Sequence, residues 1–104
     1  MYYSEAEKQI KALSSKYDID MNWGNFEVVY NGKTHIILVS GSCKYGLYVI
    51  GVNTFLSMPF SSKLYMIMAE LASTPLDERV EDKKYYVKIF RWWDRLLKYR
   101  YFNR

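Results

Sequence analysis

Apolar residues recur along this chain at two different periods, and each change of period marks a new element. Ala6, Ile10, Leu13 and Tyr17 follow one another at helical spacing and form a single stripe, with Lys8, Lys11 and Lys16 mostly off it. Ser4 and Glu7 have the spacing of a capping box, which predicts a helix from about Glu5 to Tyr17. Asp18-Ile19-Asp20 then reads as a turn. From Phe26 the period falls to two. Residues 26–30 and 34–39 read as strands flanking Asn31-Gly32, the favoured pair for a type I′ hairpin turn because both residues accept positive φ cheaply. Gly41-Ser42-Cys43-Lys44 reads as a second turn, and residues 45–52 as a third strand with a bulge or close backbone approach at Gly46 or Gly51. Short connections of this kind imply an antiparallel meander.

Helical spacing returns after Pro59. Leu64, Ile67, Met68 and Leu71 recur at i, i+3, i+4 and i+7, Ser61 or Ser62 is placed to cap, and Pro75 ends the helix. Residues 76–82 read as a charged, solvated loop, and the alternation from Lys84 to Ile89 as a candidate fourth strand. On a helical projection of the last stretch, Ile89, Trp93, Leu96 and Leu97 share one face and Arg91, Arg95 and Lys98 the opposite one. Trp92 and Tyr99 border the two. The pattern predicts an α+β fold: an N-terminal helix, a three- to four-stranded antiparallel sheet, a second helix, and a basic aromatic C-terminal helix over residues 90–104. The chain has 104 residues, which suits a single domain spanning 1–104. The expected core is Ile10, Leu13, Val28, Ile36, Leu38, Val49, Leu64, Ile67, Leu71 and Trp93.

Composition sharpens this picture at the C-terminus. The formal net charge of +4 is unevenly spread. Residues 83–104 carry eight basic residues against one acid, Asp94, whereas residues 1–82 carry seven basic against ten acidic residues. Such segregation points to a surface that docks on a polyanion or an acidic partner. Glu5, Glu7, Asp18, Asp20, Glu70 and the 77–82 loop could supply a local acidic face in the remainder. Aromatic residues make up 18% of the chain, enough both to fill a small core and to leave some for stacking or interface contacts. The candidate partner-binding residues are Arg91, Trp92, Arg95, Lys98, Tyr99 and Arg100.

Little else carries chemistry. Cys43 is the single cysteine, so no internal disulfide and no cysteine-based zinc site can form, and a buried thiol is expected. His35 is the single histidine and lies in a predicted strand, where a ring satisfied by a neighbour is expected. No glycine-rich phosphate cradle is present. The expectation is a protein that is not an enzyme, with no cofactor and no metal. Residues 1–10 lack the apolar run of a signal peptide, and no segment approaches the ~18 apolar residues of a membrane span. The expected location is a reducing cytoplasm, with no membrane contact.

One stretch has a recognisable cast. Residues 64–88, LYMIMAELASTPLDERVEDKKYYVK, resemble a segment of small uncharacterised phage and prophage proteins of low-GC Gram-positive bacteria. The matching features are Leu71-Ala72, residues 74–79 and residues 83–88. The resemblance implies a phage-encoded binding protein acting in the host cytoplasm. It would inhibit a host protein or ribonucleoprotein complex of defence or nucleic-acid processing, in the manner of an anti-CRISPR protein directed at a CRISPR effector nuclease. The alternative is a small nucleic-acid-binding accessory protein of phage replication or transcription.

Overall fold

The computed structural model describes residues 1–80. Three helices and four strands follow in chain order: α1 Tyr3–Leu13, β1 Tyr17–Asp20, β2 Phe26–Tyr30, β3 Thr34–Val39, β4 Leu47–Val49, α2 Val52–Leu56 and α3 Ser61–Ala72, then a 3₁₀ turn at Leu76–Glu78. The strands form one antiparallel meander in the order β1-β2-β3-β4, so the α+β class follows directly.

The β2–β3 hairpin forms where the Asn-Gly pair places it. Asn31 and Gly32 have φ of 57° and 70°, and the Lys33 amide donates to the Tyr30 carbonyl at 3.2 Å. The pairing carries a bulge: Val28 faces Ile37 but Val29 faces His35, leaving Ile36 as the extra residue. That single insertion decides which side chains enter the core. Ile37 and Val39 join Phe26 and Val28 on the helix side, Ile36 stays buried with them, and Leu38 is turned to the other face. Strict alternation would have put Ile36 and Leu38 together, so the expected placement of Leu38 in the core is corrected by the bulge.

The first helix is shorter than its apolar stripe. It ends at Leu13, Ser14 is extended, and the Ser14 hydroxyl accepts the Lys16 amide at 3.2 Å, a local bond that competes with helix continuation. Its start also differs: Tyr2 is the N-cap, and Glu5 Oε1 accepts the Tyr2 amide at 2.8 Å, so the carboxylate of the cap belongs to Glu5 and not to Glu7. Tyr17 leaves the helix to open β1, where it pairs with Tyr30 and meets its ring edge-on at 5.7 Å. The Asp18-Ile19-Asp20 turn is therefore a strand.

The third predicted strand is cut to Leu47–Val49. Tyr45 takes a left-handed conformation with φ of 67° before it, and Gly51, with φ of 92°, opens the short helix α2 after it. Helix α3 ends at Ala72, before Pro75, but its N-cap is Phe60 in left-handed geometry and neither serine provides a side-chain cap.

The core fills the space between the sheet and the helices. Tyr3, Ala6 and Ile10 of α1, Leu64, Met68, Leu71 and Ala72 of α3, and Phe55 of α2 pack on Tyr17, Phe26, Val28, Ile36, Ile37 and Val39. Tyr3 and Phe26 stack at 5.6 Å. Leu13, Val49 and Ile67 lie only half-buried at the margin, because α1 and α3 present them to a shallow surface and β4 is an edge. Trp93, the predicted fourth strand at 84–89 and the C-terminal helix at 90–104 lie outside the described residues.

Candidate binding surface

Arg79 is the residue that organises one end of this fold. It stands inside the sequence Asp77-Glu78-Arg79, where a solvated loop is expected, yet it is completely buried. Asp77 and Glu78 are exposed, as expected. The Arg79 guanidinium points inward and meets carbonyl oxygens instead of carboxylates. Nε donates to Thr74 O at 3.0 Å, Nη1 to Ser40 O at 2.8 Å and Nη2 to Ala72 O at 3.2 Å, and the cationic centre lies 5.8 Å from the Tyr3 ring centroid. Ala72 and Thr74 stand at the C-terminus of α3, where unpaired carbonyls and the helix dipole favour a cation. The Arg79 carbonyl meanwhile accepts the Tyr3 amide at 2.8 Å, one of the free donors at the start of α1. One residue thus caps two helices with its two ends and ties both to the end of β3.

Two loops meet at that same end of the sheet. The Gly41 amide of the β3–β4 connection donates to Asn25 Oδ1 of the β1–β2 connection at 3.2 Å. The β3–β4 connection is also held by the Ser40 amide on the Gly46 carbonyl at 2.7 Å and by the Tyr45 amide on the Ala72 carbonyl at 2.8 Å. These loops display aromatic residues to solvent: Trp23 is 81% exposed and Tyr45 70% exposed, with the Lys44 ammonium over the Tyr45 ring at 4.9 Å. Cys43 is exposed on the same loop, so the expected burial of this thiol is corrected. Trp23 was not singled out from the sequence. A large aromatic in a short Met-Asn-Trp-Gly-Asn loop between strands was the available signal.

The outer face of the sheet, turned away from the helices, follows from the strand register. Asp18 lies across from Val29, Asp20 from Glu27, Glu27 from Leu38, and Leu38 from Tyr48. Carboxylates gather on the β1–β2 half and apolar groups on the β3–β4 half. His35 Nδ1 lies 2.8 Å from Glu27 Oε1, which is the satisfied strand histidine that its position predicts. Asp18 and Asp20 also serve the backbone, accepting the Ile19 and Asn22 amides at 2.8 Å each. The Ile19 amide, and after it the nearby Lys11 ammonium, hold the Asp18 carboxyl below the usual carboxylate range. Lys11 is raised, chiefly by its bond to Glu7 at 2.9 Å and less by Asp18 at 3.4 Å. On the helix side, burial against Tyr30 pushes the Tyr17 hydroxyl up to about 12.

The chain matches no protein-family profile, no curated protein and no solved structure. What its surface can do is therefore read from the residues alone. Among the described residues, no three His, Cys, Asp or Glu side chains are grouped to hold a metal ion. No helix among them is long and apolar enough to cross a membrane. A shallow groove of about 420 Å³ runs between α1 and α3, lined by Ala12, Leu13, Met66, Ile67 and Lys63. Arg91, Trp92, Arg95, Lys98, Tyr99 and Arg100, the partner-binding residues expected from the sequence, all lie outside the described residues. The chain reaches them from Val80, one residue beyond the buried Arg79, at the end of the sheet that carries Trp23 and Tyr45.

Proposed function

We propose that this chain is a non-enzymatic binding protein, phage-encoded, that occupies and inhibits a host defence or nucleic-acid-processing complex, an anti-CRISPR inhibitor being the sharpest form of that reading. The observation that carries it is the segregation of charge: eight cations against one acid in residues 83–104, and an acidic balance in the rest. Burial of Arg79 makes the segregation stronger than the count, since that cation contributes nothing to the scaffold's exterior. Arg91, Arg95, Lys98 and Arg100 supply the charge, and Trp92 and Tyr99 the anchors, in the combination that dominates protein interfaces. The rigid end built around Arg79 gives such a segment a fixed point of departure. Trp23 and Tyr45 extend the aromatic surface at the same end.

The test adds the purified chain to a CRISPR effector nuclease loaded with its guide. Stoichiometric suppression of target cleavage is expected, and the triple variant R91A/R95A/K98A should weaken it about 100-fold, at ~1 kcal/mol for each contact. Unchanged cleavage and no co-elution with the nuclease would reject this target.

A second reading is direct contact with DNA or RNA in phage replication or transcription. It is favoured by the interleaving of Trp92, Tyr99, Tyr101 and Phe102 with cations, since bases stack on aromatics while phosphates pair with the charges. A salt titration separates the two. Binding to a mixed-sequence oligonucleotide that collapses between low and moderate salt supports the second reading, and absence of binding at low salt removes it.

A further inference from the structure

We propose that the free edge of β4 pairs with the β4 edge of a second copy of this chain, joining two sheets across a two-fold axis at Val49. The direction of the backbone groups is the first reason. The Ile50 amide donates to the Ile36 carbonyl at 2.9 Å, and the Ser40 amide to the Gly46 carbonyl at 2.7 Å. Tyr48, midway between them, lies across from Leu38 in the same register. Alternate residues of an antiparallel strand bond to the same neighbour, so Gly46, Tyr48 and Ile50 serve β3 while Val49 turns its amide and carbonyl away from it. Among the described residues no strand lies beyond β4. An outward donor and acceptor on an extended strand form a template for another strand.

The two edges of the sheet differ in their defences. At the β1 edge stand Asp18 and Asp20, with the Lys11 ammonium 3.4 Å from Asp18. Charges of this kind keep an edge from pairing with another chain. The β4 edge has none, for residues 45–62 contain no Asp, Glu, Lys, Arg or His. Apolar side chains are displayed there instead. Tyr48 is 57% exposed and Ile50 40%, and Val52 and Leu56, at i and i+4 on α2, follow at 61% and 69%. Although β4 itself is short, the bonds of Gly46 and Ile50 to β3 keep residues 46–50 in one ladder, long enough for a small two-fold pairing.

Symmetry fixes the register. With Val49 opposite Val49 of the second copy, each donates its amide to the other's carbonyl, and Tyr48 of either copy falls opposite Ile50 of the other. An aromatic facing a β-branched residue is a favourable cross-strand pair, and here it is made twice with no like charges opposed. A second copy thus supplies both things this edge lacks: a strand for Val49, and a large apolar side chain opposite each of Tyr48 and Ile50. Standard interfaces bury about 800 Å² per partner, and one short edge supplies less, so a dissociation constant of about 1–100 µM is expected. This pairing is independent of the binding role given to residues 83–104.

Sedimentation equilibrium on the full chain, across about 1–300 µM, tests this. A reversible monomer–dimer equilibrium is expected. Tyr48→Lys and Ile50→Glu change exposed side chains and leave the fold intact, as their urea midpoints should confirm, and each alone should weaken the dimer about tenfold by spoiling both cross-strand pairs. Mixed in equal amounts, the two variants place the new lysine opposite the new glutamate and keep one native Tyr48–Ile50 pair. The mixture should therefore dimerise more tightly than either variant alone, to within about threefold of the wild type. Met66→Lys, on the groove between α1 and α3, should leave the dimer unchanged. A wild-type chain that stays monomeric throughout overturns the proposal, and so does assembly beyond a dimer. A dimer that survives both β4 variants, or one that Met66→Lys abolishes, places the contact elsewhere and also overturns it. Rescue absent from the mixture rejects the two-fold register at Val49.

Discussion

Arg79 Nη1 donates to the Ser40 carbonyl at 2.8 Å, joining residues 39 positions apart in a site where the guanidinium has no contact with solvent. A buried cation is tolerated only when its donors are used and its charge is met. Here the charge is met by carbonyl dipoles at the end of α3 and by the Tyr3 ring, with no carboxylate among its partners in the described residues. R79A should therefore destabilise the protein by about 3–5 kcal/mol, from lost packing and from the Ser40 and Thr74 carbonyls losing its donors, while the Ala72 carbonyl keeps the Tyr45 amide. R79K should recover little of this, since one ammonium cannot span the directions of a planar fork. Equilibrium unfolding in urea measures both.

The same end of the sheet depends on Gly46. A Cβ at that position would stand 2.7 Å from Ser40 Cβ and 2.9 Å from Cys43 Sγ. Ser40 is held by its own amide bond to the Gly46 carbonyl, so it cannot retreat without loosening the Arg79 network. Gly32 offers the contrast: its φ is +70° but nothing lies within 4 Å of a Cβ there. G32A should cost about 1 kcal/mol, the penalty of a strained backbone alone, and G46A about 2–3 kcal/mol from the clash. Thermal unfolding of the two variants side by side checks the order.

These two sites show where the sequence was informative and where it was not. The hairpin at Asn31-Gly32 was legible because its cause is local: two adjacent residues that accept positive φ, between alternating strands. Helix α3 was legible through its apolar stripe and Pro75. Strand β1 was hidden because Tyr17 falls four residues after Leu13 and extends the helical stripe by coincidence, while Ser14 and Ser15 carry the weaker signal that stops it. The inversion of Leu38 comes from a bulge no alternation rule contains. Arg79 could not be found at all, since its burial is created by carbonyls from Ser40, Ala72 and Thr74, which only the tertiary fold assembles. The grouping of Asp18 and Asp20 with Glu27 likewise exists only once β1 pairs with β2. The expected binding residues 91–100 were read from charge and spacing and lie outside the described residues, so the charge segregation that points to them is a property of the sequence.

Tyr17 gives the fold an alkaline limit. Its hydroxyl donates to the Pro59 carbonyl. Burial, and after it the neighbouring Tyr30, raise its pKa to about 12 from the ordinary 10.0. A group with a raised folded pKa stabilises the fold fully below its unfolded pKa, and loses that contribution as pH rises through the folded value. Stability should thus be level on this account up to about pH 10 and fall between about 10 and 12. Y17F removes the titrating group: it should be less stable at pH 8 by about 1 kcal/mol for the lost hydrogen bond, and should show a shallower alkaline fall. Urea unfolding at pH 8, 10 and 11 distinguishes the two curves.

Trp23 separates binding from folding. At 81% exposed, on a loop between β1 and β2, it packs too little to stabilise the domain. Replacing an exposed side chain away from caps and cores ordinarily changes stability by less than about 0.5 kcal/mol. An anchor at an interface centre, by contrast, costs about 2 kcal/mol or more when truncated, roughly a thirtyfold loss of affinity. W23A should therefore unfold at the same urea concentration as the wild type. If the end of the sheet where Asn25 meets Gly41 belongs to the partner surface, W23A should also weaken inhibition of the effector nuclease by about thirtyfold. W23A that binds like wild type would confine partner contact to residues beyond Val80, and W23A that fails to fold would contradict the exposure on which the contrast rests.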